Sequence, residues 1–161
     1  MVIAQKAARV QLGDSMSNVC FKAAIVGLEE ALGEKAAAIS LIAAGRKRGH
    51  ALAEELNLAN KVGELSIDEV TEKIRFTLGK DGTRLCIVDK IEQTGESFKV
   101  YTRETVCSAG ELEGSTRRCT YTLGAIQGFL EAFLGQRLRG RHIESVLRGS
   151  EHDVLEFVPR T

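Results

Sequence analysis

The chain has almost no proline, no surplus charge and no long apolar run, and each absence removes a class of protein. A single proline, Pro159, with no repeats and no low-complexity tracts, leaves no linker on which to divide the 161 residues. The 22 basic and 22 acidic residues cancel, so no global field draws the protein to nucleic acid or to an anionic membrane. No segment reaches the roughly 18 to 20 apolar residues of a membrane span, and the amino terminus lacks a signal-peptide core, so a cytoplasmic protein is expected. The four cysteines, Cys20, Cys86, Cys107 and Cys119, contain no CxxC pair and read as reduced thiols. None of the three histidines has a nucleophile and an acid at the spacing of a local catalytic motif, and no dinucleotide fingerprint is present. These absences favour a binding module over an enzyme.

At 43% hydrophobic, the sequence is rich enough for one domain with a substantial core, set at residues 17–161 after an arm at 1–16. Ser17 can cap a helix over Asn18–Leu32 with a stripe of Cys20, Ala24, Gly27, Leu28 and Ala31. A second helix, 34–56, carries Ile42, Gly45, Gly49, Leu52 and Leu56 on one face, with Arg46, Lys47 and Arg48 assigned to solvent. Ser66 and Glu69 form a capping box ahead of Val70, Ile74 and Leu78. The period then becomes alternating: Leu85, Ile87, Asp89 and Ile91 share one face, a turn follows at Gln93–Glu96, and Phe98, Val100 and Thr102 share the next. The irregular stretch 104–118 is the longest loop, a usual place for function.

The densest signal is CTYTLGAIQGFLEAFLG, 119–135. Gly124, Gly128 and Gly135 sit four and seven apart on one helical stripe with Glu131, although each glycine inside a helix costs about 1 kcal/mol against alanine. Close approach of a neighbour is the compensating reason. Leu123, Ile126, Leu130 and Phe133, flanked by Phe129 and Leu134, make the helix apolar nearly all round. A basic connector, QRLRGRH, then leads to a hairpin of HIESVL and DVLEFV.

This arrangement, with Gly124, Gly128, Leu130 and Glu131 followed by Glu144 and Leu155-Glu156-Phe157, resembles the carboxy-terminal half of the 4-vinyl reductase domain family. It is also similar to the Bet-type subunits of the TRAPP tethering complex. The resemblance implies an α+β fold, helices packed on one face of a four-stranded antiparallel sheet. It implies a bound small hydrophobic molecule, a tetrapyrrole or its precursor among the options, in a pocket lined by Leu28, Ile42, Ile74, Leu123, Ile126, Phe129, Leu130 and Phe133. A filled core is the competing reading of the same residues. Arg137, Arg139, Arg141 and His142 form a polar rim suited to carboxylates or to a partner. A homodimeric scaffold assisting a larger complex, photosynthetic in a phototroph, is the alternative function, and a reductase ranks third.

Some relatives hold zinc with a cysteine before the glycine helix, a glutamate and two hairpin cysteines. Cys119 and Glu144 correspond, but Leu147 and Leu155 stand in the other two positions, so no closed zinc site is expected unless Cys107 and His152 are recruited. The TRAPP relatives also acylate a cysteine where this chain has Lys61-Val62-Gly63, so no cofactor is firmly implied.

Overall fold

The structure, a computed structural model, describes residues 18–161. The expected arm at 1–16 and the Ser17 cap lie outside the described residues.

Helix α3, Ile67–Leu78, begins at the capping box: the Ser66 hydroxyl accepts the Glu69 N–H at 3.3 Å, and the Glu69 carboxylate accepts the Ser66 N–H at 2.8 Å. It buries Val70, Thr71, Ile74 and Leu78 against β1, Ile87–Thr94. Strand β2, Ser97–Arg103, pairs with β1 and turns Phe98, Val100 and Thr102 inward, as its alternation requires. In β1 the alternation breaks: a bulge between Val88 and Lys90 resets the pleat, so Val88 and Ile91 are buried while Asp89 faces out.

After helix α4, Tyr121–Leu134, the chain forms β3, Leu138–Glu144, a 3-10 turn at Val146–Arg148, and β4, Asp153–Pro159. The basic connector is therefore a strand. In LRGRHI, Leu138, Gly140 and His142 turn toward the protein while Arg139, Arg141 and Ile143 turn out, a period of two that the charges disguised. The sheet is antiparallel with order β1-β2-β4-β3, placing β3 at an edge.

Helix α4 is buried at every position from Thr122 to Phe133 because it lies between the sheet and helix α2, Glu34–Glu55. The crossing explains the glycines. A Cβ on Gly124 would sit 2.1 Å from the Ile42 carbonyl oxygen and one on Gly128 2.0 Å from that of Arg46. In return, a Cβ on Gly45 or Gly49 would lie 2.2 Å or 2.0 Å from the carbonyl oxygens of Tyr121 and Ala125. The backbones approach as closely as hydrogen substituents permit, and each helix supplies half of the clearance. Gly135 ends α4 in the left-handed conformation at φ 69°, and a Cβ there would lie 2.5 Å from Asn60 Oδ1, so its close contact is with a side chain and not with α2.

Helix α1, Asn18–Leu32, forms as expected but turns the other way. Only Ile25 is buried, with Phe21, Lys22, Val26 and Glu29 partly covered, whereas Cys20, Ala24, Gly27, Leu28 and Ala31 are exposed. Leu28, 40% exposed, is thus no pocket residue. Small and apolar residues surround this helix, so composition did not fix its rotation.

Candidate functional site

Two polar clusters occupy the two ends of α4. At its C-terminal end the Glu131 carboxylate, 3% exposed, accepts from Arg46 Nε at 2.5 Å, Gln127 Nε2 at 3.2 Å and the Leu138 N–H at 2.8 Å, with His50 Nε2 3.1 Å away. Burial opposes its ionisation, but Arg46, the Leu138 N–H, Gln127 and His50 outweigh burial and hold it below the ordinary carboxylate value. Arg46, assigned to solvent by the sequence pattern, is the counter-charge of this buried acid. A cleft of about 390 Å³ opens beside it, lined by Arg46, His50, Asn60, Glu131 and Arg137 among others.

At the N-terminal end, segment 104–118 returns to the helix through a disulfide between Cys107 and Cys119. This corrects the expectation of reduced thiols for that pair; Cys86 remains a thiol. Cys107 and Cys119 are twelve positions apart, and only the folded loop brings them together. Cys119 leads into α4, and its backbone N–H donates to His142 Nδ1 at 3.0 Å. His142 Nε2 lies 3.2 Å from Asp153 Oδ1 but outside hydrogen-bond alignment, a buried polar atom without a well-formed partner. Asp153 accepts from Thr105 Oγ1 at 2.7 Å and from the Val146 N–H at 3.2 Å. Burial pushes its carboxyl up, yet His142, Thr105 and Ser145 hold it below the ordinary value. The nearby Cys86 thiol is pushed up to about 12 by burial and by Asp153, so it stays protonated.

A second cleft, of about 490 Å³, opens at this end between α2, the start of α4 and edge strand β3. Its walls are Ala38, Ile42, Leu123 and Ile143, and its polar edge is formed by Arg118, Arg141 and His142.

The expected site residues are dispersed. Ile42 and Leu123 line the cleft, whereas Ile74, Ile126, Phe129, Leu130 and Phe133 belong to the main core cluster. The four-residue rim is not one rim: Arg137 lies at one cleft, Arg141 at the other, paired with Glu156 at 2.6 Å, Arg139 is exposed and His142 is buried. Of the four metal candidates, Glu144 is exposed and His152 faces Asp89 at 2.9 Å, while Cys107 and Cys119 meet in the disulfide.

The group that does come together is Cys119, His142 and Asp153, with ligand atoms all within 4.8 Å of one another. Thiolate, imidazole and carboxylate are the donor types that zinc takes. In the disulfide form the set does not fit a cation, because the sulfurs carry no thiolate charge and the Nδ1 lone pair is taken by the Cys119 N–H. His142 and Asp153 were missed because the hairpin ligands were sought from Glu144 onward, at Leu147 and Leu155. The inward period of LRGRHI was the available signal for His142.

No protein-family profile matches the chain, and no curated protein is significantly similar in sequence. Its fold is similar to the phenol-responsive sensory domain of the transcription activator PoxR, in a crystal structure with phenol. That match has a TM-score of 0.70 and 15% identity, covering 92% of this chain and 77% of that one. The fold is also similar to trafficking protein particle complex subunit 3 from Naegleria fowleri, in a structure covalently bound to palmitic acid. Here the TM-score is 0.51 and identity 14%, covering 90% of this chain and 98% of the other. These likenesses establish the α+β fold.

Proposed function

We propose that the protein is a noncatalytic binding module for a small hydrophobic molecule carrying one polar group, received in the cleft between α2, α4 and β3. The observation that carries this reading is the cleft's asymmetry: Ala38, Ile42, Leu123 and Ile143 supply apolar wall, and Arg118, Arg141 and His142 supply a polar edge. Its volume, about 490 Å³, falls in the range of small-molecule sites. That the two structural neighbours hold phenol and palmitic acid is in keeping with it. A tetrapyrrole or precursor is the finer reading, favoured only by the arginines.

The test is a thermal-shift titration with phenols, fatty acids and porphyrins. A true ligand raises the melting temperature with concentration, by preferential binding to the folded state. Ala38→Phe, which fills the cleft from α2, should abolish the response while the protein remains folded. No concentration-dependent shift from any class, or a shift that survives Ala38→Phe, would remove the cleft from consideration.

A homodimeric scaffold is the second reading, and α1 favours it. Leu28 and Leu32, 40% and 53% exposed, lie one turn apart beside exposed Ala24 and Ala31. Light scattering that finds a dimer abolished by Leu32→Glu supports this reading; a monomer at all concentrations rejects it.

A further inference from the structure

We propose that the cleft between α2, α4 and β3 takes an amphipathic monocarboxylate, an aromatic or medium-chain acid whose charged head meets Arg118 and Arg141 while its body lies on Ile42, Leu123 and Ile143. This rests on the binding reading above and names the class of its ligand. The sign of the charge carries it. Two arginines and no aspartate or glutamate line this cleft, whereas the cleft at the other end of α4 sets Glu54 and Glu131 against Arg46 and Arg137. Among the described residues, the first cleft is positive and the second is balanced.

Arg118 differs from its chain neighbour in the same way. Arg117 is bridged to Glu29 and Glu111, but Arg118 has no carboxylate within ion-pair distance among the described residues. Its one bond, from Nη1 to the His142 carbonyl oxygen at 3.1 Å, holds the side chain against β3. The other guanidinium N–H groups stay available, in a planar fork that matches a carboxylate. Arg141 is shared, because one of its Nη atoms donates to Glu156 at 2.6 Å, so it is a second contact and not the anchor. His142 adds no charge: its Nδ1 accepts the Cys119 N–H, which leaves the ring proton on Nε2, beside Asp153.

The start of α4 adds to the same sign. Thr120, in the cleft wall, is the N-cap residue but makes no side-chain capping bond, so the positive end of a 14-residue helix lies at the cleft without a side chain to satisfy it. A phenol is uncharged near neutral pH and would leave the Arg118 charge unanswered. Carboxylates therefore rank above phenols for this cleft.

Isothermal titration calorimetry of the full chain, comparing 4-phenylbutyrate with 4-phenylbutan-1-ol and octanoate with octan-1-ol, isolates the charged head. The carboxylates should bind about 10-fold or more tighter than the alcohols, and only their affinity should fall as NaCl is raised. Arg118→Gln should weaken the carboxylates by about 10-fold and leave the alcohols unchanged, and Arg118→Lys should restore part of the loss. Lys73→Gln, exposed on α3, should change neither. Alcohols that bind as tightly as the carboxylates, or an Arg118→Gln variant that weakens both alike, overturn the carboxylate inference and leave the binding reading standing. No binding from either class, or binding that survives Ala38→Phe, removes both. If Arg118→Gln fails to fold, the comparison of acid with alcohol in the unsubstituted protein, with its salt dependence, decides.

Discussion

Glu131 and Asp153 are both almost wholly buried, one near each end of α4, yet they are neutralised in different ways. Glu131 faces a permanently charged arginine and has its remaining lone pairs filled by Gln127, His50 and the Leu138 N–H. Asp153 has a hydroxyl, a backbone N–H and an imidazole whose nearest nitrogen is poorly aligned. A guanidinium cannot be switched off near neutral pH, so the first end is a fixed joint between α2, α4 and β3. A disulfide can change state, so the second end is convertible, and it is the end at which the apolar cleft opens.

The comparison breaks most readily at the fixed end. Glu131→Ala strands Arg46 and removes the acceptor of the Leu138 N–H, and a loss of about 3 to 5 kcal/mol is expected in urea unfolding. Asp153→Asn keeps most acceptor capacity and should cost distinctly less. Equal costs would erase the distinction. Gly128→Leu strikes the same joint, because its Cβ would meet the Arg46 carbonyl oxygen at 2.0 Å. Rigid backbone makes this worse than ordinary overpacking, and about 3 kcal/mol is expected from the shift in melting temperature; an unchanged melting temperature would deny the close crossing.

At the convertible end, reduction of the disulfide in metal-free buffer should remove about 2 to 3 kcal/mol, the loop-closure value for a ring of this size. A much larger loss would mean that Lys22 and Arg117 do not hold segment 104–118 unaided. Acid should weaken both ends. Each carboxyl is depressed in the folded state relative to its ordinary value, 4.5 for Glu131 and 3.8 for Asp153. Their stabilisation is therefore complete above those values and is lost as pH falls through the lower folded ones. Melting temperatures that stay flat from pH 5 to pH 2 would contradict this. The smallest effect lies away from both ends: a Cβ on Gly27 meets nothing within 4 Å, so Gly27→Ala should stabilise α1 by about 0.5 to 1 kcal/mol.

Much of the fold was legible in local pattern. The Ser66–Glu69 box, the β1–β2 hairpin and the all-round apolar character of α4 follow from spacing, and the glycine cost signalled a close contact before its partner was visible. The candidate site was far less legible. His142 sat inside a run whose arginines suggested a connector, and Asp153 lay in what read simply as an apolar strand. Arg46 shares a basic run with Lys47 and Arg48, and nothing local distinguishes the one that points toward α4.

By itself the sequence determined where the helices and the β1–β2 hairpin lie, which helix must be central, and that something must approach Gly124 and Gly128 closely. These are consequences of short-range periodicity and of what a backbone tolerates without a side chain. Only the tertiary structure decided that the approaching backbone belongs to α2, that the smaller-residue face of α1 looks outward, and that Cys107, Cys119, His142 and Asp153 converge. Those outcomes depend on packing between segments distant in sequence, 85 residues apart in the Arg46–Glu131 contact, and packing at that range is selected by the whole core at once.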